Sequence, residues 1–254
     1  MISKNKIKFV SSLQMKKARD EENLFVIEGE KIIKEFLEAG MCLKMLAATT
    51  EFISALPSFT LKQIESIETA SYNELKQMSS LKTPHSAIAV LEKPDNRIEE
   101  NSPVKLTVAL DCIQDPGNFG TIIRAAAWFG IETVLCSNDC VDVYNSKVVQ
   151  ANMGALLHVN VYYTDLAEYF KNINKTPIYG TLLKGNPVYN QPLGDKGIIL
   201  LGNESRGISE KLLPFITHKI SIPCSDFAKP GIDSLNVGMA ASIIFSEFYR
   251  RMLC

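Results

Sequence analysis

Apolar residues along this 254-residue chain fall into short continuous runs separated by amphipathic stretches, and the pattern becomes more regular past residue 100. In FVIEGEKIIKEFLEAG (25–40) a strand-like start becomes an amphipathic helix. Ile32, Ile33, Phe36 and Leu37 lie on one side of it, and Gly40 stops it. KMLAAT (44–49) and SAIAVLE (86–92) read as strands, with SYNELKQMSS (71–80) a short helix between them. Together these predict a small α/β module. Beyond it, strands are predicted at 104–110, 132–136, 158–163, 177–183, 197–201 and 219–222. Helices are predicted at 119–129, 143–153, 165–173, 209–217 and 234–251. Continuous apolar strands such as GIILL, separated by helices, indicate a parallel sheet covered on both faces. Ligands of such sheets sit outside the carboxyl ends of the strands. EKPDNRIEENSPVK (92–105) is polar, charged and twice interrupted by proline, so it reads as a linker. The expected division is a first domain over 1–92, a linker over 93–103 and a second domain over 104–254.

Composition narrows the class. Hydrophobic residues make up 46 % of the chain, enough for a proper core, and charged residues 22 %. No apolar run approaches the roughly 18 residues that span a bilayer. MISKNKIKFV is basic without an apolar signal core, so a cytoplasmic protein is expected. The six cysteines (42, 112, 136, 140, 224, 254) form no CxxC pair, and the histidines (85, 158, 218) are far apart in sequence. Free thiols and no metal site are the expectation. A net charge of −1 gives no general attraction for nucleic acid. The first 19 residues nevertheless carry Lys4, Lys6, Lys8, Lys16, Lys17 and Arg19 and no acid. That cluster can touch RNA phosphates, or it can be a solvated terminal helix.

Three polar clusters follow strand ends. In DPGNFGTIIR (115–124), Pro116 and Gly117 make the turn, Asn118 precedes a helix and is a possible N-cap, and Arg124 enters an otherwise apolar helix. A guanidinium keeps its proton at ordinary pH and is costly to bury unpaired, so Arg124 is expected to meet an anion, either a carboxylate of the chain or a phosphate. A dinucleotide-binding reading is weak, because the GxGxxG spacing is absent. In GIILLGNESRGIS (197–209) an apolar strand runs into Gly202, Asn203 and Glu204. The glycines permit close backbone approach, Glu204 is a candidate partner of Arg124, and Ser209 is a candidate N-cap. In ISIPCSDFAKPGIDSLNVGMAASIIFSEFYRR (220–251) a strand ends near Pro223. Ser234-Leu235-Asn236 then opens a helix whose small residues Gly238, Ala240, Ala241 and Ser242 permit close packing, in the core or at a dimer contact, with Ser234 a possible N-cap.

In this order, each after a strand, the blocks DPGNFGTIIRAA, LLGNESRGI and IPCSDFAKPGIDSLNVGMAA resemble the SpoU family of RNA ribose 2′-O-methyltransferases, within the SPOUT class. FVIEGEKIIKE and LKTPHSAIAVLEKP resemble that family's ribosomal-protein-like RNA-binding domain, so the resemblance covers nearly the whole chain. It implies an α/β parallel-sheet SPOUT domain with a deep C-terminal trefoil knot, S-adenosylmethionine as cofactor, a homodimer, and RNA, most readily ribosomal, as substrate. By motif position, Asn118, Arg124, Glu204, Ser234 and Asn236 would form the catalytic set. Backbone groups at Leu182, Gly202, Ile222 and Leu235 would hold the cofactor. The sequence departs from the family pattern in a longer 224–233 loop, in Ala125 where threonine is frequent, and in Gln150-Ala151-Asn152 where Arg-Ala-Ser is common. The alternatives are a non-catalytic RNA-binding or ribosome-assembly protein, methylation of a base, and a transfer-RNA 2′-O-methyltransferase.

Overall fold

A computed structural model describes residues 2–95, 105–173, 175–225 and 234–253. The described residues fall into two compact units, Met1–Asp95 with Asp142–Leu157, and Asn96–Val141 with His158–Cys254. In chain order the first unit holds α1 (Lys4–Ser12), α2 (Lys16–Glu22), β1 (Leu24–Glu28), α3 (Glu30–Glu38) and β2 (Met45–Ala48). It continues with α4 (Thr50–Ser54), α5 (Ser58–Leu61), β3 (Ile67–Thr69), α6 (Tyr72–Met78) and β4 (Ala87–Glu92). The second unit starts with β5 (Leu106–Leu110), α7 (Pro116–Trp128) and β6 (Thr133–Cys136). The chain returns to the first unit for α8 (Ser146–Asn152). It then completes the second with β7 (Asn160–Tyr163), α9 (Leu166–Asn172), β8 (Ile178–Pro187), β9 (Gly197–Leu201), β10 (His218–Ser221) and α10 (Val237–Met252).

The first unit is built on a sheet of order β1-β4-β2-β3, with β4 antiparallel to β1 and β2, and β3 parallel to β2. Strand alternation feeds two cores. Phe25 and Ile27 pack with Ile33, Phe36 and Leu37 of α3 on one face, while Val26, Met45 and Val90 pack with Val10, Leu13, Leu75 and Met78 on the other. Asp142–Leu157 belongs to this unit, although a single domain over 104–254 was the expectation. Val149 joins the α3 core, the Tyr144 ring lies 4.7 Å from that of Phe25, and Gln150 Nε2 donates to Glu28 O at 2.9 Å. Apolar burial against the first unit outweighs sequence proximity for this segment.

Arg19, expected on the RNA-contacting surface, is instead a core residue, only 2 % exposed. Its guanidinium donates to Leu13 O (2.9 Å) and Gln14 O (2.8 Å) and pairs with Asp142 Oδ2 at 2.5 Å. A cation so enclosed is tolerable only with these partners. Lys6 is also engaged within the unit, bonded to the carboxylate of Glu68 and to Ser66 Oγ at 3.3 Å. Lys4, Lys8, Lys16 and Lys17 are exposed.

The second unit carries a parallel sheet, ordered β10-β8-β9-β5-β6-β7 among the described residues. Its central strands β5 and β9 are buried throughout, as their apolar runs require. The helix expected over 209–217 is not formed; a single 3₁₀ turn, Leu213–Phe215, stands there. Pro214 has no N–H and would clash with the preceding turn, so an α-helical ladder cannot pass through it. No described helix is long and apolar enough to cross a membrane. The 96–104 part of the expected linker lies outside the described residues, as does the 226–233 part of the long loop.

Replacing Arg19 with alanine strands the Asp142 carboxylate, which is 12 % exposed in the ion pair. The expected loss is about 3–5 kcal/mol, read from denaturant midpoints. A loss below about 1 kcal/mol would contradict this account of the ion pair.

Candidate active site

The carboxyl ends of β10, β8, β9 and β5 are neighbours in the sheet, and the three polar clusters sit on them. After β5 the chain reaches Asp115, which caps α7 by accepting from Asn118 N at 2.8 Å, with Pro116 at the first helical position. Asp115 therefore does the capping expected of Asn118 and leaves the Asn118 amide available. Likewise Asn236, not Ser234, caps α10. Its Oδ1 accepts from Gly238 N (3.0 Å) and Met239 N (3.2 Å).

These caps polarise a chain of hydrogen bonds. With Asn236 Oδ1 committed to α10, Asn236 Nδ2 donates to Asn118 Oδ1 at 2.7 Å. Asn118 Nδ2 is then the donor on the other side and reaches Glu204 Oε1 at 2.8 Å. The Glu204 side chain supplies the acceptor at that end. The segments after β5, after β9 and before α10 are thereby joined through three side chains. Glu204, a candidate partner for Arg124 on sequence grounds, is thus bonded to Asn118.

Arg124 is exposed on α7, against the expectation of a buried guanidinium. The helix buries Phe119, Gly120, Ile122, Ile123 and Ala126, while Gly117, Thr121, Arg124 and Trp128 lie along one outer stripe. Helical spacing lets Arg124 avoid desolvation, so burial alone does not force an anion on it. Six residues separate it from Asn118, about 9 Å along the helix axis. Side chains in helices lean towards the N-terminus, which directs Arg124 back towards the strand ends. Ser234 is exposed beside the Asn236 cap.

The positions expected to hold a cofactor lie on the same edge. Between Gly180 and Asn186, strand β8 leaves its register with β10, so residues 181–185 bulge out at its carboxyl end. Leu182 is half-buried in this excursion. The bulge sits tightly against β10: a Cβ on Gly185 would come within 2.6 Å of Ile220 C, and Ser221 Oγ donates to Gly185 O at 2.9 Å. Gly202 follows β9 at another close approach, where a Cβ would fall 2.3 Å from Gly207 C. Ile222 is half-buried after β10, and Leu235 is 46 % exposed. Half-open aliphatic side chains beside irregular backbone suit a flat heteroaromatic ring with hydrogen-bonding edges, which is what an adenosine group presents. Among the described residues no group of three or more His, Cys, Asp or Glu side chains could hold a metal ion.

Helix α10 packs directly on α7, and a Cβ at Gly238 would lie 3.0 Å from Thr121 Cγ2. Asp115 carries no sequence mark of a reactive group. Its signal, an Asp-Pro pair opening an apolar helix, marks an N-cap and not a catalyst.

The family model described as the SpoU rRNA Methylase family matches residues 105–246, and the MRM3-like substrate binding domain matches residues 4–89. The chain is 28 % identical over 242 residues to the 23S rRNA (guanosine(2553)-2′-O)-methyltransferase RlmP of Bacillus subtilis, covering 94 % of each. It is also 28 % identical over 305 residues to mitochondrial rRNA methyltransferase 3A of Danio rerio, covering 98 % of this chain and 69 % of that one. A Porphyromonas gingivalis protein proposed as an RNA methyltransferase of the TrmH family shares the fold with a TM-score of 0.86, at 37 % identity over 99 % of each chain. The Streptomyces viridochromogenes SpoU methyltransferase AviRb, solved with AdoMet, shares it with a TM-score of 0.83 at 21 % identity, again over 99 % of each. The polar clusters at the strand ends fall within or border the region that the first model matches, which exceeds half the chain, and the protein belongs to the SpoU rRNA methylase family.

Proposed function

We infer that this protein transfers the methyl group of S-adenosylmethionine to a ribose 2′-hydroxyl of ribosomal RNA. The observation that carries this reading is the Asn236–Asn118–Glu204 chain, which gathers three family motifs into one polar surface at the sheet's carboxyl edge. S-adenosylmethionine supplies an electrophilic methyl group on a sulfonium. Leu182, Gly202, Ile222 and Leu235 would hold it, the aliphatic side chains against its adenosine and the backbone against its polar edges. The strand order supports a trefoil knot around that site: β9 inserts between the earlier strands β5 and β8, and the chain then passes β8 to reach β10 and α10.

The chain's own groups have two tasks, aligning the ribose hydroxyl and stabilising the charge that develops on its oxygen. Asn118, held by Asn236 on one side and Glu204 on the other, is a rigid polar contact for the target nucleotide. Ser234 and Asn236 position its ribose and phosphate. Arg124 acts as a cation at the oxygen or the neighbouring phosphate, and the hydroxyl proton leaves to phosphate or water. A guanidinium holds its own proton too firmly to serve as the base. Glu204 orients Asn118.

The first unit selects the RNA, and Lys4, Lys8, Lys16 and Lys17, all exposed, are available for its phosphates. The second unit pairs with another copy through the outer face of α7 and α10. There Trp128 is 83 % exposed, Met239 60 % and Leu253 69 %, large apolar side chains that pairing would cover. A cytoplasmic location accords with a ribosomal RNA substrate and free cysteines.

Labelled S-adenosylmethionine, given with purified protein to total RNA from cells lacking it, should mark ribosomal RNA at one nuclease-resistant 2′-O-methyl linkage. Label in transfer RNA alone, or on a base, would overturn the assignment. Arg124→Lys should lose most turnover, on the order of 2–4 kcal/mol of transition-state stabilisation, without moving the pH–rate profile. Retained turnover with a shifted profile would mean the group titrates. Trp128→Glu should give a monomer by sedimentation; an unchanged dimer would place the interface elsewhere.

A further inference from the structure

Glu204 stands on an exposed five-residue loop, yet its carboxylate meets Asn118 at hydrogen-bond distance. Something must fix that loop. The residue before it, Asn203, makes a set of contacts that no solvent-facing loop asparagine needs. Its backbone N–H donates to Gly207 O at 3.0 Å and its carbonyl accepts from Gly207 N at 2.8 Å, closing the loop across its base. Its side-chain Oδ1 accepts from Ser205 N at 3.0 Å and Arg206 N at 3.1 Å, filling the loop from inside. Its Nδ2 donates to Cys112 O at 2.8 Å, tethering the loop to the segment that leads from β5 to Asn118.

The receiving carbonyl is itself held in place. Cys112 adopts a left-handed backbone (φ +57), uncommon for a residue with a side chain. Its N–H donates to Ser137 Oγ at 2.8 Å, and Ser137 Oγ donates to Asp139 Oδ1 at 2.5 Å. Burial, reinforced by Asp139, pushes the Cys112 thiol up to about 11. At the other end of the loop, the buried Asp111 carboxylate accepts from Ser209 N at 2.6 Å. Both ends of the Glu204 segment are thus fastened to residues directly after β5, the strand that leads into α7.

We propose that Asn203 is a positioning residue for methyl transfer. It holds the Glu204 loop in register with the β5–α7 turn, so that Glu204 can fix the Asn118 amide. Its role is distinct from that of Gly202, whose missing side chain allows the backbone to pass close to Gly207. The inference rests on the orienting role given above to Glu204.

Two variants separate the tether from the loop filling. Asn203→Asp keeps an acceptor for Ser205 N and Arg206 N but replaces the donor to Cys112 O with a second oxygen. Asn203→Ala removes both. In the full-length enzyme, both variants should lower kcat roughly 10- to 100-fold, the cost of one hydrogen bond in a charged network. The KM for RNA and the Kd for S-adenosylmethionine should stay near wild type. Combined with Glu204→Gln, neither should slow the reaction beyond Glu204→Gln alone, since linked residues act as one unit. Amide exchange at Ser205 and Arg206 should quicken in Asn203→Ala while the rest of the second unit stays protected. Wild-type kcat for Asn203→Asp, losses that multiply with Glu204→Gln, or unchanged exchange in Asn203→Ala would each overturn the proposal. Full activity of Glu204→Gln by itself would instead reject the orienting role of Glu204, and the exchange readout would still decide whether Asn203 holds the loop.

Discussion

The amide of Asn118 is held in one orientation, and the rest of the site depends on that constraint. Asn236 must present its oxygen to the N-terminus of α10, so it offers Asn118 a donor. Asn118 answers with its oxygen and turns its NH₂ towards Glu204. A helix cap thereby sets the polarity of a hydrogen-bonded chain that ends on a carboxylate. Such preorganisation is useful where charge develops on a poorly nucleophilic hydroxyl, because no dipole has to reorient during the reaction. In the proposed reaction, the rate advantage would lie in the geometry held before substrate arrives.

The scaffold explains why the geometry can be held. β5 and β9 are central, buried and adjacent, so the turns that follow them have fixed origins. β10 and β8 extend the same edge, and the excursion over residues 181–185 supplies irregular backbone there. Glycine appears at the two closest backbone approaches, Gly185 and Gly202, where any Cβ would collide. Sheet order brings the clusters to one edge, and side-chain bonds then lock them together.

Much of this was legible in the sequence. Apolar runs of strand length located the parallel sheet, and the motifs after β5, after β9 and before α10 located the candidate site. What was not legible depended on partners distant in sequence. Arg19 reads as a surface cation from its place in a basic cluster, but Leu13, Gln14 and Asp142 enclose it. Arg124 looked buried because its neighbours are apolar, but a helix needs only one outer stripe to carry it into solvent. Asn118 and Ser234 were plausible caps by residue type, yet Asp115 and Asn236 stand one turn and two residues away with better geometry. The 209–217 stretch reads as a helix from its pattern, but Pro214 limits it to a single 3₁₀ turn. The passage of Asp142–Leu157 into the first unit follows from burial of Val149 and Tyr144, which no linear boundary reveals.

Asn118→Leu tests the central claim most directly, since it keeps the volume of the side chain and removes both of its hydrogen bonds. In single-turnover methylation of ribosomal RNA, the account predicts a collapse of the chemical rate with S-adenosylmethionine still bound at its normal affinity. A chemical rate equal to that of the unaltered enzyme would contradict it.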